Sequence, residues 1–243
     1  MPAASVRGAV SFLTRVPVGG AVGAEEVARG AVLFPLVGAG VGALSGGLAL
    51  LLHPVLSPFV AAVGAVAAAA VVTGAMHLDA LADTVDALGA HSRERALEIM
   101  RDSRLGTFGV CALVLDLLLK AGAIATLLVH GDALASLVVA GALSRSVSPP
   151  LAVLLPYPRV EGGPGSVLTG RTSFAAAAAA AGIAVAAAVL LHQEWLIVGA
   201  GAVGVVLALL YRRWLGGATG DCLGAATELS ETVALVVAAA VAR

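Results

Sequence analysis

The chain has 243 residues, 60% of them hydrophobic and only 12% charged, with a mean hydropathy of +1.02. An ordinary soluble domain is about half apolar and a quarter charged, so this composition belongs in a lipid bilayer. A net charge of −1 without any Lys/Arg-rich tract leaves no electrostatic footprint for nucleic acid, and two cysteines, Cys111 and Cys222, are too few and too differently placed for a disulfide framework.

In chain order, MPAASVRGAVSFLTRVPVGG (1–20) is interrupted by Arg15 and lacks the continuous apolar core and cleavage site of a secretory signal. It is expected to form a short amphipathic helix on the membrane surface. A bilayer core takes about 20 apolar residues per helix, and that length selects seven spans: 30–52, 55–75, 107–129, 133–155, 173–191, 195–215 and 228–242. Runs of Ala, Leu and Val without strand alternation exclude a β-barrel. The 30 glycines, some clustered in GAGVGALSGG and GAGAVG, allow close approach of helix backbones. The expected fold is therefore all-α, a polytopic integral membrane bundle of seven transmembrane helices with additional helices in the cytoplasmic loops, forming one domain over residues 1–243.

The polar stretches 76–106, 156–172 and 216–227 are loop-sized. With the N-terminus in the cytoplasm, Arg7, Arg15, Arg29, Arg93, Arg95, Arg101, Arg104, Arg159, Arg171, Arg212 and Arg213 all fall inside. Only Arg243 falls outside, with Lys120 and Arg145 within spans. Chemistry is thus expected on the cytoplasmic face.

In HLDALADTVDAL (77–88), Asp79, Asp83 and Asp86 fall within about 60° of one another on a helix, opposite a ridge of Leu78, Leu81, Val85 and Leu88. A solvated amphipathic helix would share this pattern. However, none of the three has Lys or Arg three or four residues away, and like charges at this spacing repel. A divalent metal supplies the missing charge, and Mg²⁺ takes one or two carboxylates together with substrate phosphates and water. His77, at the end of the preceding span, is either structural or part of the site.

Downstream, RERALEIMRDSRLGTFG (93–109) sets Arg101, Asp102, Ser103 and Arg104 ahead of Gly106 and Gly109, where the third span begins. That arrangement can seat an anion or simply mark the membrane boundary. Asp116 and Lys120, one turn apart in the third span, are expected to neutralise each other. Arg145 lies in the fourth span close to Pro149 and Pro150, where a charge is costly unless it faces a polar cavity; Asp116 is its alternative, structural partner. Finally, GGATGDCLGAATELSE (216–231) puts Asp221, Glu228 and Glu231 beside a Gly-rich turn. The other histidines are scattered and make no zinc-type cluster.

MHLDALADTVDALG followed by LEIMRDSRLGTFG resembles the signature of the cobalamin synthase family, the adenosylcobinamide-GDP ribazoletransferases. FLTRVPV (12–18), LFPLVG (33–38), SR (144–145) and GDCLGAATELSE (220–231) look like the family's other blocks in the same order, so the resemblance spans nearly the whole chain. Where the family pattern usually has glycine after the first and last aspartates of the block, this sequence has Ala80 and Ala87.

The resemblance implies a multi-pass, Mg²⁺-dependent enzyme of the bacterial inner membrane, with its active-site loops cytoplasmic. It would join adenosylcobinamide-GDP to α-ribazole, or its 5′-phosphate, and release GMP late in vitamin B12 assembly. On that basis Asp79, Asp83 and Asp86 would hold Mg²⁺, and Arg101, Ser103, Arg145 and Glu231 would bind substrate. Asp102, Arg104, Asp221, Glu228 and His77 would be catalytic candidates. Asp102, Asp221 and Glu228 stand unranked as acceptors of the ribose hydroxyl proton. A homo-oligomer and association with other B12-pathway enzymes are left open. The rival readings are an intramembrane prenyltransferase, which would need a second acidic block of the same character, and a transporter, which would need paired broken spans in two halves. The sequence has neither.

Overall fold

The computed structural model describes residues 2–102, 104–159 and 162–242, so Ser103 lies outside the described residues. Helix α1 (Pro2–Leu13) and the short α2 (Ala24–Gly30) precede a 3-10 turn that runs into α3 (Phe34–Leu52). They are followed by α4 (Pro58–Thr73), α5 (Met76–Ala87), α6 (Arg93–Ile99), α7 (Thr107–His130) and α8 (Ala133–Leu154). The chain ends in α9 (Phe174–Leu190), α10 (Trp195–Trp214) and α11 (Gly220–Val241). There is no strand among the described residues, and the all-helical, multi-pass membrane class is as expected.

The count of crossings differs from the expected seven. Five helical segments are long and apolar enough to span, and the bent pair α4–α5 makes at most a sixth. All seven apolar segments are helical, but α4 has 16 residues and α9 has 17. Both are cut short by local chemistry. Ser57 and Ser173 cap their first turns, and α4 stops at Gly74 in the left-handed conformation. The last helix begins eight residues earlier than expected, because Thr219 accepts a hydrogen bond from the Cys222 amide at 3.2 Å and caps the helix there. Asp221, expected in the loop, consequently rides on the same helix as Glu228 and Glu231.

Two apolar clusters form the interior. One gathers Ala49, Leu127, Leu137, Leu196 and Ala238; at its end of the bundle Ser136 meets Gln193, with Oγ and Oε1 3.2 Å apart. The other gathers Leu13, Phe34, Met100, Leu155, Leu168 and Tyr211. Within the first cluster's half of the bundle, α3 and α8 touch backbone to backbone: a Cβ on Gly38 would overlap the Gly141 carbonyl, and one on Gly42 the Leu137 carbonyl. Lipid tails are as apolar as leucine, so helix association in the bilayer depends on such close packing.

Gly38→Ala is therefore expected to destabilise the protein by about 1–3 kcal/mol through overpacking, read as a lowered thermal midpoint in detergent. Gly40→Ala, where an added methyl meets nothing within 4 Å, should leave the midpoint unchanged.

Candidate active site

The site begins at a kink. Gly74 has φ 64° and Ala75, without glycine's freedom, has φ 56°; the chain then turns through 91° from α4 into α5. Left-handed backbone at a residue with a Cβ is held only where its surroundings enforce it. Here the segment after α1 does so. The Arg15 amide donates to the Val72 carbonyl at 2.7 Å, and the Arg15 side chain fills the space a Cβ on Gly74 would need.

The turn takes α5 out of the spanning direction and lays it against the start of α11. Ala80 meets Gly224 there, and a Cβ on Gly224 would fall 2.5 Å from the Ala80 methyl. Gly224 thus supplies the room for the Ala80 methyl from the opposite helix.

A cavity of about 220 Å³ opens between these elements. Asp79, Asp221, His77 and Arg145 supply its polar wall; Phe12, Leu13, Phe34, Met76 and Leu168 supply an apolar one. Gly165 and Leu168, from the segment between α8 and α9, close one side. A Cβ on Gly165 would overlap the Gly220 amide, Arg93 donates to the Pro158 carbonyl at 3.3 Å, and Arg159 donates to Asp221 Oδ2 at 3.3 Å. Arg159 was not among the sequence candidates; its position in a polar loop gave no sign that it would meet Asp221.

The three aspartates of α5 do different things. Asp79, exposed at the cavity mouth, and half-buried Asp83 have no hydrogen-bond or ion-pair partner among the described residues. Partial burial, then the charges of Asp79, Asp221 and Asp86, push the Asp83 carboxyl up to about 7. Asp86, expected beside them as a metal ligand, instead caps α7: its two oxygens accept the Gly106 and Gly109 amides at 2.7 and 2.8 Å. Helix α7 has no side-chain cap of its own, so Asp86 satisfies two of its orphan donors from another helix. A Cβ at either glycine would collide with the carboxylate.

Asp102 and Arg104 pair with each other away from the cavity. The Arg104 Nε lies 3.0 Å from Asp102 Oδ1, and this bonding holds the Asp102 carboxyl down at about 2. So weak a base on the surface is poorly suited to accept a proton from a substrate. Arg101 is likewise exposed and does not line the cavity.

Below the cavity lies a buried charge network. Lys120 of α7 donates to Glu228 and, at 3.4 Å, to Glu231 of α11. Asp116 lies further off, 3.8 Å from Lys120, and accepts a hydrogen bond from Thr232. Arg145 of α8 pairs with Glu231 and donates to Ser144 Oγ at 2.9 Å. The expected Asp116–Lys120 pair is thus only one edge of a larger network, and Arg145 takes Glu231, not Asp116, as its partner. Arg145 both lines the cavity and anchors the network, which dissolves the choice between its two expected roles. His77, only 4% exposed, lies beside them with Nδ1 unpartnered among the described residues.

Comparison with known proteins decides the family. The cobalamin-5-phosphate synthase family matches residues 5–239. This chain belongs to that family. Adenosylcobinamide-GDP ribazoletransferases of Shigella dysenteriae serotype 1 and Escherichia coli O139:H28 are each 41% identical to it over 237 residues, covering 93% of this chain and 96% of theirs. No solved structure matches the chain.

In this cobalamin-5-phosphate synthase family member, then, two basic and three acidic side chains share the seam between three helices. Removing the charge of one partner in a buried pair leaves the other uncompensated. Glu231→Gln, which strips charge from both Lys120 and Arg145, is expected to cost about 3–5 kcal/mol, read as a lowered thermal midpoint. Asp102→Asn, at the exposed pair, should leave that midpoint in place.

Proposed function

We propose that the chain transfers the adenosylcobinamide phosphate group of adenosylcobinamide-GDP to α-ribazole or its 5′-phosphate, releasing GMP. The relatives carry that activity in their names. The observation that supports it in this chain is the cavity wall on which unpaired Asp79, Asp221 with its arginine, and buried Arg145 converge.

In the reaction a ribose hydroxyl attacks the phosphorus linked to cobinamide, a new P–O bond forms, and the P–O bond to GMP breaks. Of the three carboxylates considered as proton acceptors, Asp102 is held as a weak base at the surface and Glu228 is bound by Lys120 in the interior. Asp221 lines the cavity and takes the hydroxyl proton; Arg159 orients it. Arg145 presents positive charge to the phosphate oxygens, where it is more effective in a dry site than in water. On this reading transfer is direct and in line: Cys222 is fully buried, and a metal with arginines stabilises a transferring phosphate without a covalent step.

Asp79 and Asp83 offer hard oxygen donors without partners, the donor chemistry Mg²⁺ requires. Among the described residues no group of three or more His, Cys, Asp or Glu side chains is arranged to hold a metal by itself, so these two would hold Mg²⁺ together with substrate oxygens. When bound, the ion neutralises charge on the diphosphate. Loop 156–172 and the start of α11 are cytoplasmic on this reading, in the bacterial inner membrane.

Purified protein should release GMP from adenosylcobinamide-GDP only when α-ribazole is added; a stoichiometric burst of GMP without it would contradict direct transfer. Asp221→Asn should lower kcat about 100-fold or more while the protein stays monodisperse in detergent. Asp83→Asn should lose turnover most severely at limiting Mg²⁺, and normal turnover there would remove Asp83 from the metal site. For orientation, a reporter active only outside the cytoplasm should be silent when fused at Gly165 and active at Gln193.

A further inference from the structure

The apolar wall of the cavity has no part in the phosphate chemistry. Phe12 of α1 lies parallel to Phe34 at the start of α3, with ring centroids 5.6 Å apart and planes inclined by 9°. Phe34 is fully buried, whereas Phe12 is half-buried, so Phe34 backs the stack and Phe12 is the ring with surface left to meet a ligand. Leu13, Met76 and Leu168 complete the wall.

Helix α1 is fixed firmly enough to serve as a wall. Gly8 lies so close to the Glu26 carbonyl, and Gly30 to the α1 backbone, that a Cβ on either would overlap it. Beyond the helix, Arg15 is tied to Val72 by its backbone amide.

At about 220 Å³ the cavity falls below the roughly 300–1,000 Å³ usual for a drug-sized ligand. It cannot take a corrin macrocycle, but it is on the scale of one flat bicyclic base with part of its ribose. Met76, whose thioether is a weak acceptor, is the nearest approach to a polar side chain on this wall. A guanine edge placed there would lose its water without finding partners. The benzimidazole base of α-ribazole has no exocyclic donors or acceptors and only one ring nitrogen to satisfy, so it meets a smaller penalty.

We propose that Phe12 and Phe34 form the stacking platform for the base of the acceptor nucleoside, with the ribose directed to Asp79 and Asp221. The inference rests on the transferase reading above. It gives the N-terminal amphipathic helix a part in the site, whose wall Phe12 and Leu13 line.

The test uses the full chain in detergent. Phe12→Leu keeps the apolar volume and removes the ring face; it should raise KM for α-ribazole about tenfold and leave KM for adenosylcobinamide-GDP within about twofold. A rise confined to the corrinoid substrate, or no change in either, overturns the proposal. Phe12→Trp supplies a readout independent of turnover. Titrated over the background of Trp195 and Trp214, α-ribazole alone should quench the added fluorescence and GMP alone should not. Quenching by GMP alone would assign the wall to guanine and overturn the proposal. Quenching by α-ribazole in protein that releases no GMP would uphold the platform and overturn the transferase reading.

Discussion

The salt bridges from Glu228 and Glu231 to Lys120 and Arg145 are the constraint on which the bundle's geometry depends. Burying charge is expensive unless each group is paired and hydrogen-bonded, so the helices that carry these residues cannot rotate or slide independently. Lys120 belongs to α7, Arg145 to α8, and both glutamates to α11. The seven residues from Asp221 to Glu228 nearly complete two helical turns, so these two acids share a face of α11. Fixing Glu228 and Glu231 in the interior therefore also fixes Asp221 at the cavity.

The network needs space that only glycine provides. A Cβ on Gly38 would meet both the Gly141 carbonyl and Cδ of Arg145, so the α3–α8 contact and the path of the arginine stem are one packing problem. The same economy recurs at the site: Gly224 admits Ala80, Gly165 admits the start of α11, and Gly106 with Gly109 admits the Asp86 carboxylate. Small residues hold the bundle together and also shape the cavity.

Much of this was legible in the sequence. Apolar length gave every long helix, and the spacing of Asp79, Asp83 and Asp86 gave α5 and its acidic face. Local patterning could not count the crossings, because a serine cap and a left-handed glycine trim α4 to 16 residues. Nor could it divide the aspartates: what makes Asp86 a cap is the position of Gly106 and Gly109, 20 and 23 residues away. Thr219 before the acids of α11 was a visible capping residue, and reading it as one would have brought Asp221, Glu228 and Glu231 onto a single helix. The pairings of Lys120 with Glu228, Arg145 with Glu231 and Arg159 with Asp221 join residues 108, 86 and 62 positions apart. Charge placement announced that such residues needed partners, but only tertiary packing selects which ones.

The two apolar clusters bear on why such chemistry would occupy only one end of the bundle. The cluster around Leu127 and Leu137 offers nothing to a phosphate, and a diphosphate driven there would lose its hydration without compensation. Around the cluster of Phe34, Leu168 and Tyr211, by contrast, the elements carry Arg93, Arg159, Arg212 and Arg213. A reaction between a charged diphosphate and an acceptor with an apolar base needs both environments within a bond's reach. Helix α1 supplies the apolar side from outside the main bundle, and the kink at Gly74 and Ala75 brings the acidic helix against it. The latch between them is the Arg15–Val72 hydrogen bond. Loosening that latch would separate the two walls without touching any group on either of them.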